Sequence, residues 1–92
     1  MIIRIMGQGQ YRVNSSLFDD LNKVDNKIVG YVEKGNKKAY KKSLDELIGM
    51  VIREGKKVTA KEIVESDIIV PPADMTIEEA RDIFKGSGIF KD

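Results

Sequence analysis

The sequence predicts an α+β fold: an N-terminal β-hairpin joined by a third strand, packed on an antiparallel helix pair, with a short C-terminal helix. Three observations carry that prediction. Apolar residues alternate in twos through MIIRIMGQGQYRV at residues 1–13, the period of a half-buried strand. They then recur at helical spacing through two long stretches divided by Gly35-Asn36. A β-branched run, DIIV at 67–70, stops at Pro71-Pro72 and is followed by one more helical pattern.

In the hairpin, Ile3, Ile5, Tyr11 and Val13 share one face, and Arg4, Gln10 and Arg12 share the other. A loop of Gly7, Gln8 and Gly9 sets Ile5 opposite Tyr11, Ile3 opposite Val13 and Arg4 opposite Arg12, so apolar meets apolar. A two-residue loop would set Ile5 against Arg12. Gly9 supplies the left-handed residue that such loops require. The Gly-x-Gly therefore turns a hairpin. A phosphate-binding loop would need a helix to start directly after it, and none does. This register places two guanidinium groups side by side on the outward face, which disfavours the pairing. Either a carboxylate from elsewhere in the chain lies between them, with Asp67 a candidate, or a partner supplies one.

Asn14, Ser15 and Ser16 are N-cap types, and Leu17, Leu21, Val24, Ile28 and Val32 follow at helical spacing, so residues 16–34 read as an amphipathic helix. Asp19 and Asp20 suit the positive end of its dipole. A second helix runs from Lys37 to Glu54 with Tyr40, Leu44, Leu47 and Val51 in one stripe. Ile48 and Ile52 widen that stripe beyond what one facing helix needs. The surplus face of Leu44, Ile48 and Ile52 is covered by the sheet or by a partner helix. Thr59 and Glu62 have capping-box spacing, which predicts a short helical turn at 60–65. DIIV reads as a strand at or near a sheet edge, because the prolines that follow cannot donate to a ladder. Thr76 and Glu79 form a second capping box, ahead of a stripe of Ile77, Ala80, Ile83 and Phe84 ended by Gly86. Ile89 and Phe90 are placed to pin the tail to the core.

Composition narrows the function. The chain has 92 residues, the size of one domain, read here as 1–92, with 41% hydrophobic and 34% charged residues, the balance of a globular protein. It has no cysteine and no histidine, which removes the commonest general base, the commonest metal ligand and any thiolate site. No catalytic residue, metal or cofactor is expected. Ser15 and Ser16 lack an imidazole to activate them. Glu78 and Glu79 are neighbours on a helix and point ~100° apart, as first-turn acids and not as a catalytic pair. Asp67 and Asp74 either share a pocket or cap a turn around the prolines. No apolar run approaches the ~18 residues of a membrane span. Arg4 interrupts the apolar N-terminus, so a cytoplasmic location is expected.

Charge is unevenly laid out. Residues 34–61 hold nine basic and three acidic side chains, and residues 62–92 hold three basic and eight acidic ones. Lys37, Lys38, Lys41 and Lys42 surround Tyr40 as a basic patch, and Lys56, Lys57 and Lys61 add a second group. Phosphates of nucleic acid or of anionic lipid suit such a patch. The pI of 7.9, the lack of a nucleic-acid motif and the use of lysine without arginine forks disfavour nucleic acid, and a solvated helix face is the simplest reading.

Two stretches, MIIRIMGQGQYRVNSSLFDDLNKVD and ESDIIVPPADMTIEEARDIF, resemble the two ends of the PspA-associated domain, PspAA. The most specific pieces are RIMGQGQYRV and SDIIVPPAD-T-EE, with matching positions Arg4, Gly7, Gly9, Gln10, Arg12, Asp67, Pro71, Pro72, Asp74 and Thr76. The resemblance covers essentially the whole chain, although the middle helices match only in pattern, charge and length. It implies a non-enzymatic module that works alongside phage-shock protein A, a coiled-coil protein of envelope stress response and membrane maintenance. It brings no catalytic residues. Arg4 and Arg12 are then expected to meet acidic residues of that partner, and the face of Leu44, Ile48 and Ile52 to offer it a groove. Membrane association would be peripheral and through the partner. An exposed edge on a small sheet also allows homodimerisation.

Overall fold

A computed structural model describes residues 1–86 and 88–90. Strand β1 (Ile2–Ile5) pairs antiparallel with β2 (Gly9–Arg12). Asn14 then caps a single 3-10 turn at Ser15–Leu17 by accepting the Ser16 N–H, and α1 (Phe18–Lys34) begins. Gly35, at φ 70°, closes α1 through N–H contacts to the carbonyls of Tyr31 and Val32. Asn36 caps α2 (Lys37–Glu54) by accepting from Ala39 N–H. So short a link folds the two helices back on each other. Two short strands follow, β3 (Lys56–Lys57) and β4 (Ile68–Val70), and then one turn of α3 (Ile77–Ala80). The sheet has the order β3-β2-β1-β4, and β4 lies parallel to β1.

One core joins these elements. The inward row of the sheet (Ile3, Ile5, Tyr11, Val13, Val70) meets Leu21, Val24 and Ile28 of α1 and Leu44, Leu47 and Val51 of α2, with Phe84 and Phe90 among them. The apolar stripes read from the sequence are the buried faces. The expected tail anchor is also present: Phe90 is buried and meets Phe18 edge-on, with ring centroids 6.1 Å apart.

Four local expectations are corrected. The hairpin pairs Ile5 with Gly9, Arg4 with Gln10, Ile3 with Tyr11 and Ile2 with Arg12. Its loop is Met6, Gly7 and Gln8, one residue earlier than expected. Gln8 N–H bonds to Ile5 carbonyl at 2.9 Å, and Gly7, third in that turn, takes φ 86°, which side chains with a Cβ avoid. Moving the loop by one residue moves the pairing by two. The strand period is also two, so every inward residue stays inward while the pairs change.

The second correction is β3. It has no apolar residue and is held by backbone pairing to β2, including Val58 N–H to Gln10 carbonyl at 2.9 Å. Third, the helical turn expected at 60–65 is only a reverse turn, with Glu62 N–H on Thr59 carbonyl at 3.1 Å, and the Glu62 side chain bonds Arg12 instead of capping. Residues 58–67 link one edge of the sheet to the other. Helices occupy the inner face, so these residues cross the outer face as a strap. Fourth, α3 is shorter than its apolar stripe. Its capping box is complete, but Ala80 carbonyl takes the N–H of both Ile83 and Phe84, at 3.0 and 2.8 Å, and the regular helix ends.

Two glycines separate necessity from tolerance. Gly49 lies inside α2 with open space where a Cβ would stand, no other atom coming within 4 Å, whereas Gly7 holds a positive φ. Gly49→Ala is expected to raise stability by about 0.5–1 kcal/mol. Gly7→Ala is expected to lower it by about 1–2 kcal/mol. Urea unfolding midpoints of both variants against the parent chain check the opposite signs.

Candidate interaction surface

The outer face of the sheet is built by the even positions of β1. Ile2 and Arg4 alternate outward, Gln10 and Arg12 lie beside them on β2, and Ile69 lies beside Arg4 on β4. The strap covers the β2 side. Gln10 donates its amide to Val64 carbonyl and to Ser66 Oγ, both at 2.9 Å. Arg12 pairs with Glu62 at 2.8 Å. Ile2 points to this side yet is only 8% exposed, as expected for a residue under the strap. Asp67 ties down the strap's far end by accepting Ile2 N–H at 2.7 Å.

The expected Arg4/Arg12 pair is therefore not formed as opposite neighbours. Gln10 stands between them in register, Arg12 has its own carboxylate in Glu62, and Asp67 serves the backbone of β1 instead of either arginine. Arg4 is exposed and forms no ion pair among the described residues. Beside it Met6 is 48% and Ile69 55% exposed. Val70 carbonyl accepts Met6 N–H at 3.0 Å, so Val70 turns its backbone groups to β1 and Ile69, by alternation, turns its own to the open edge.

The helical face behaves differently. Leu44 is fully buried and Ile48 nearly so, and of the three expected partner residues only Ile52, at 41%, reaches solvent. The stripe of α2 is wide because the sheet and the Pro72–Asp74 segment cover its flank as well as α1. Ile48 lines a cleft of about 260 Å³ together with Ile5, Met6, Pro72 and Asp74. This corrects the expectation of a free groove at Leu44 and Ile48.

Lys37, Lys38, Lys41 and Lys42 are all exposed. Lys37 pairs with Glu78 at 3.3 Å, and Lys41 pairs with Asp45 at 3.4 Å and donates to Ala73 carbonyl. Lys38 and Lys42 have no ion pair among the described residues. Half of the patch is thus engaged within the chain. The Glu78 carboxyl sits below its ordinary 4.5 because its own backbone N–H and then Lys37 favour its charged form. A cleft of about 290 Å³ lies between this end of α2 and residues 73–78. Its floor is fixed by Tyr40, whose hydroxyl donates to Met75 carbonyl at 2.8 Å. Burial and then Glu79 push that phenol above its ordinary 10.0. Asp67 and Asp74 lie beyond opposite ends of β4, and Asp74 lines both of these clefts while Asp67 bonds the backbone of β1. Among the described residues no three acidic side chains are grouped closely enough to hold a metal ion.

One ionisable residue passed unnoticed in the sequence. Asp25 falls on the apolar stripe of α1 and is 0% exposed. Its Oδ2 accepts Phe90 N–H at 2.8 Å, and its Oδ1 has no hydrogen-bond partner among the described residues. Gly88, at φ 80°, packs so closely that a Cβ would overlap both carboxylate oxygens. The signal was available: a lone acid between Val24 and Ile28 on a buried face needs a donor, and the tail supplies one. Burial raises the Asp25 carboxyl above its ordinary 3.8, against the pull of the Phe90 and then the Ile89 backbone N–H. Asp25 is a structural latch for residues 88–90.

The model of the PspA-associated protein family, PspAA, matches residues 1–92, the whole chain. No curated protein and no solved structure matches it.

The latch has a pH signature. Between 3.8 and the raised value the folded chain binds more protons at Asp25 than the unfolded chain. Stability from this group is therefore fully present below its unfolded pKa and declines as pH rises through the folded one. Asp25→Asn is expected to flatten this part of the pH profile, and Gly88→Ala to lower stability by roughly 1–3 kcal/mol at every pH. Urea unfolding from pH ~4 to ~7 reads both effects.

Proposed function

Because the chain belongs to the PspA-associated protein family, we propose that it is a non-enzymatic module that binds a PspA-like coiled-coil protein and serves with it in envelope stress response and membrane maintenance. The observation that carries this reading is the family match over the whole chain. The geometry supports it from another side. Four carboxylates hold pieces of the fold: Asp25 the tail, Glu62 and Asp67 the strap, Glu79 the start of α3. The surface these contacts leave open includes a sheet face where Arg4, without an ion pair among the described residues, lies beside exposed Ile69, which suits a protein partner. The module works in the cytoplasm and reaches a membrane only through that partner.

The lysine patch as a phosphate binder is the weaker reading, since Lys37 and Lys41 already have partners within the chain. Isothermal titration of the chain with the PspA-like protein of the same cell tests the proposal. A saturable complex is expected, together with no binding of the chain alone to anionic vesicles or duplex DNA. Vesicle or DNA binding without a complex contradicts the proposal.

A further inference from the structure

We propose that the uncovered half of the outer sheet face receives one amphipathic helix of the protein partner, which sets a carboxylate against Arg4 between apolar contacts to Met6 and Ile69. The inference rests on the function proposed above and names the surface and chemistry through which the partner is held.

Charge argues first. Arg12 and Arg4 share one face, but among the described residues only Arg12 has a carboxylate partner. Lys56, opposite Arg12 in register, adds to the positive character of that face. A planar guanidinium with open donors fits a carboxylate in the two-bond manner that lysine does not offer. It also needs such a partner if an approaching protein is to cover it.

Apolar placement argues next. Among the described residues the exposed large apolar side chains are Met6, Ile52, Ile63 and Ile69; Ile69 stands opposite Arg4 and Met6 follows it by two residues. Met6 opens the hairpin loop two residues on from Arg4, and Ile69 lies one strand over, ~4.8 Å away. A cation with exposed apolar side chains on its β4 side and at the adjoining loop, a methionine able to adapt its shape among them, suits an interface more than a solvated rim.

Shape chooses the occupant. The strap walls off the β2 side, so the open face is β1 and β4, roughly 10 Å across. One helix with its side chains is about that wide. The rival mode is a strand added at the β4 edge. Ile69 turns its backbone groups to that edge, but Pro71 and Pro72 follow directly and offer no N–H. An added strand would gain little ladder there, and the helix uses the side chains that are exposed.

The test titrates the full-length PspA-like partner with the parent chain, Arg4→Glu, Ile69→Ser and the control Lys42→Glu, each checked for its unfolding transition. Lys42 lies on α2, on the other side of the sheet, and carries the same charge reversal as the Arg4 variant. Arg4→Glu and Ile69→Ser are expected to weaken binding about tenfold or more. Lys42→Glu is expected to bind like the parent, and added salt to weaken the parent more than the Arg4 variant. Parent-like binding by both Arg4→Glu and Ile69→Ser overturns the proposed surface and leaves the complex itself standing. A parent chain that binds no partner overturns both this inference and the function it rests on. Self-association of the parent that is lost in Ile69→Ser gives the face to a second copy of the chain and overturns the helix.

Discussion

The position of β1 inside the sheet fixes what each of its side chains can do. It is paired on both sides, antiparallel to β2 and parallel to β4, so its backbone polar groups are satisfied and its side chains have only two directions. Ile3 and Ile5 go to the core, and Ile2 and Arg4 go to the outer face. A charged residue in the middle of a four-residue strand is tolerable only because the alternation sends it outward, where α1 and α2 do not reach. The strap depends on the same alternation, for it is bound by the outward side chains of β2 next door.

What the sequence made legible was periodic. Alternation in residues 2–5 and 10–13 identified the inward row, and helical spacing placed α2 at the residues it occupies. Asn14 and Thr76 were readable as caps because a cap is a local exchange between one side chain and a nearby N–H. Register was not legible at the same level. Two loops of equal length, one residue apart, bury the same side chains, and Gly7 and Gly9 both take a positive φ, 86° and 113°, so the glycine pattern does not select between them. β3 was invisible because Lys56 and Lys57 contribute backbone and no apolar pattern.

The partner surface was read only in part, for a related reason. A wide apolar stripe on α2 looks the same whether a partner covers it or the chain's own residues do. Ile48 is closed off by Pro72 and Asp74, which lie more than twenty residues further along the chain. Arg4, by contrast, was found from a strand pattern, and its exposure follows from that pattern without long-range information. Glu62 as the carboxylate for Arg12 was unreadable, since its spacing to Thr59 suggested a cap. Long-range contacts thus decided which of the nominated residues remain available, while short-range periodicity nominated them.

Cross-strand contacts between Hα protons, read by nuclear Overhauser spectroscopy, test the register on which this account stands. Met1 and Val13 exchange both hydrogen bonds, at 2.9 and 3.2 Å, so Ile2–Arg12 and Arg4–Gln10 fall at the closer, non-hydrogen-bonded positions. Strong Hα–Hα contacts for those two pairs are the expected result. A strong contact between Arg4 and Arg12 instead would place the two guanidinium groups side by side and contradict the account.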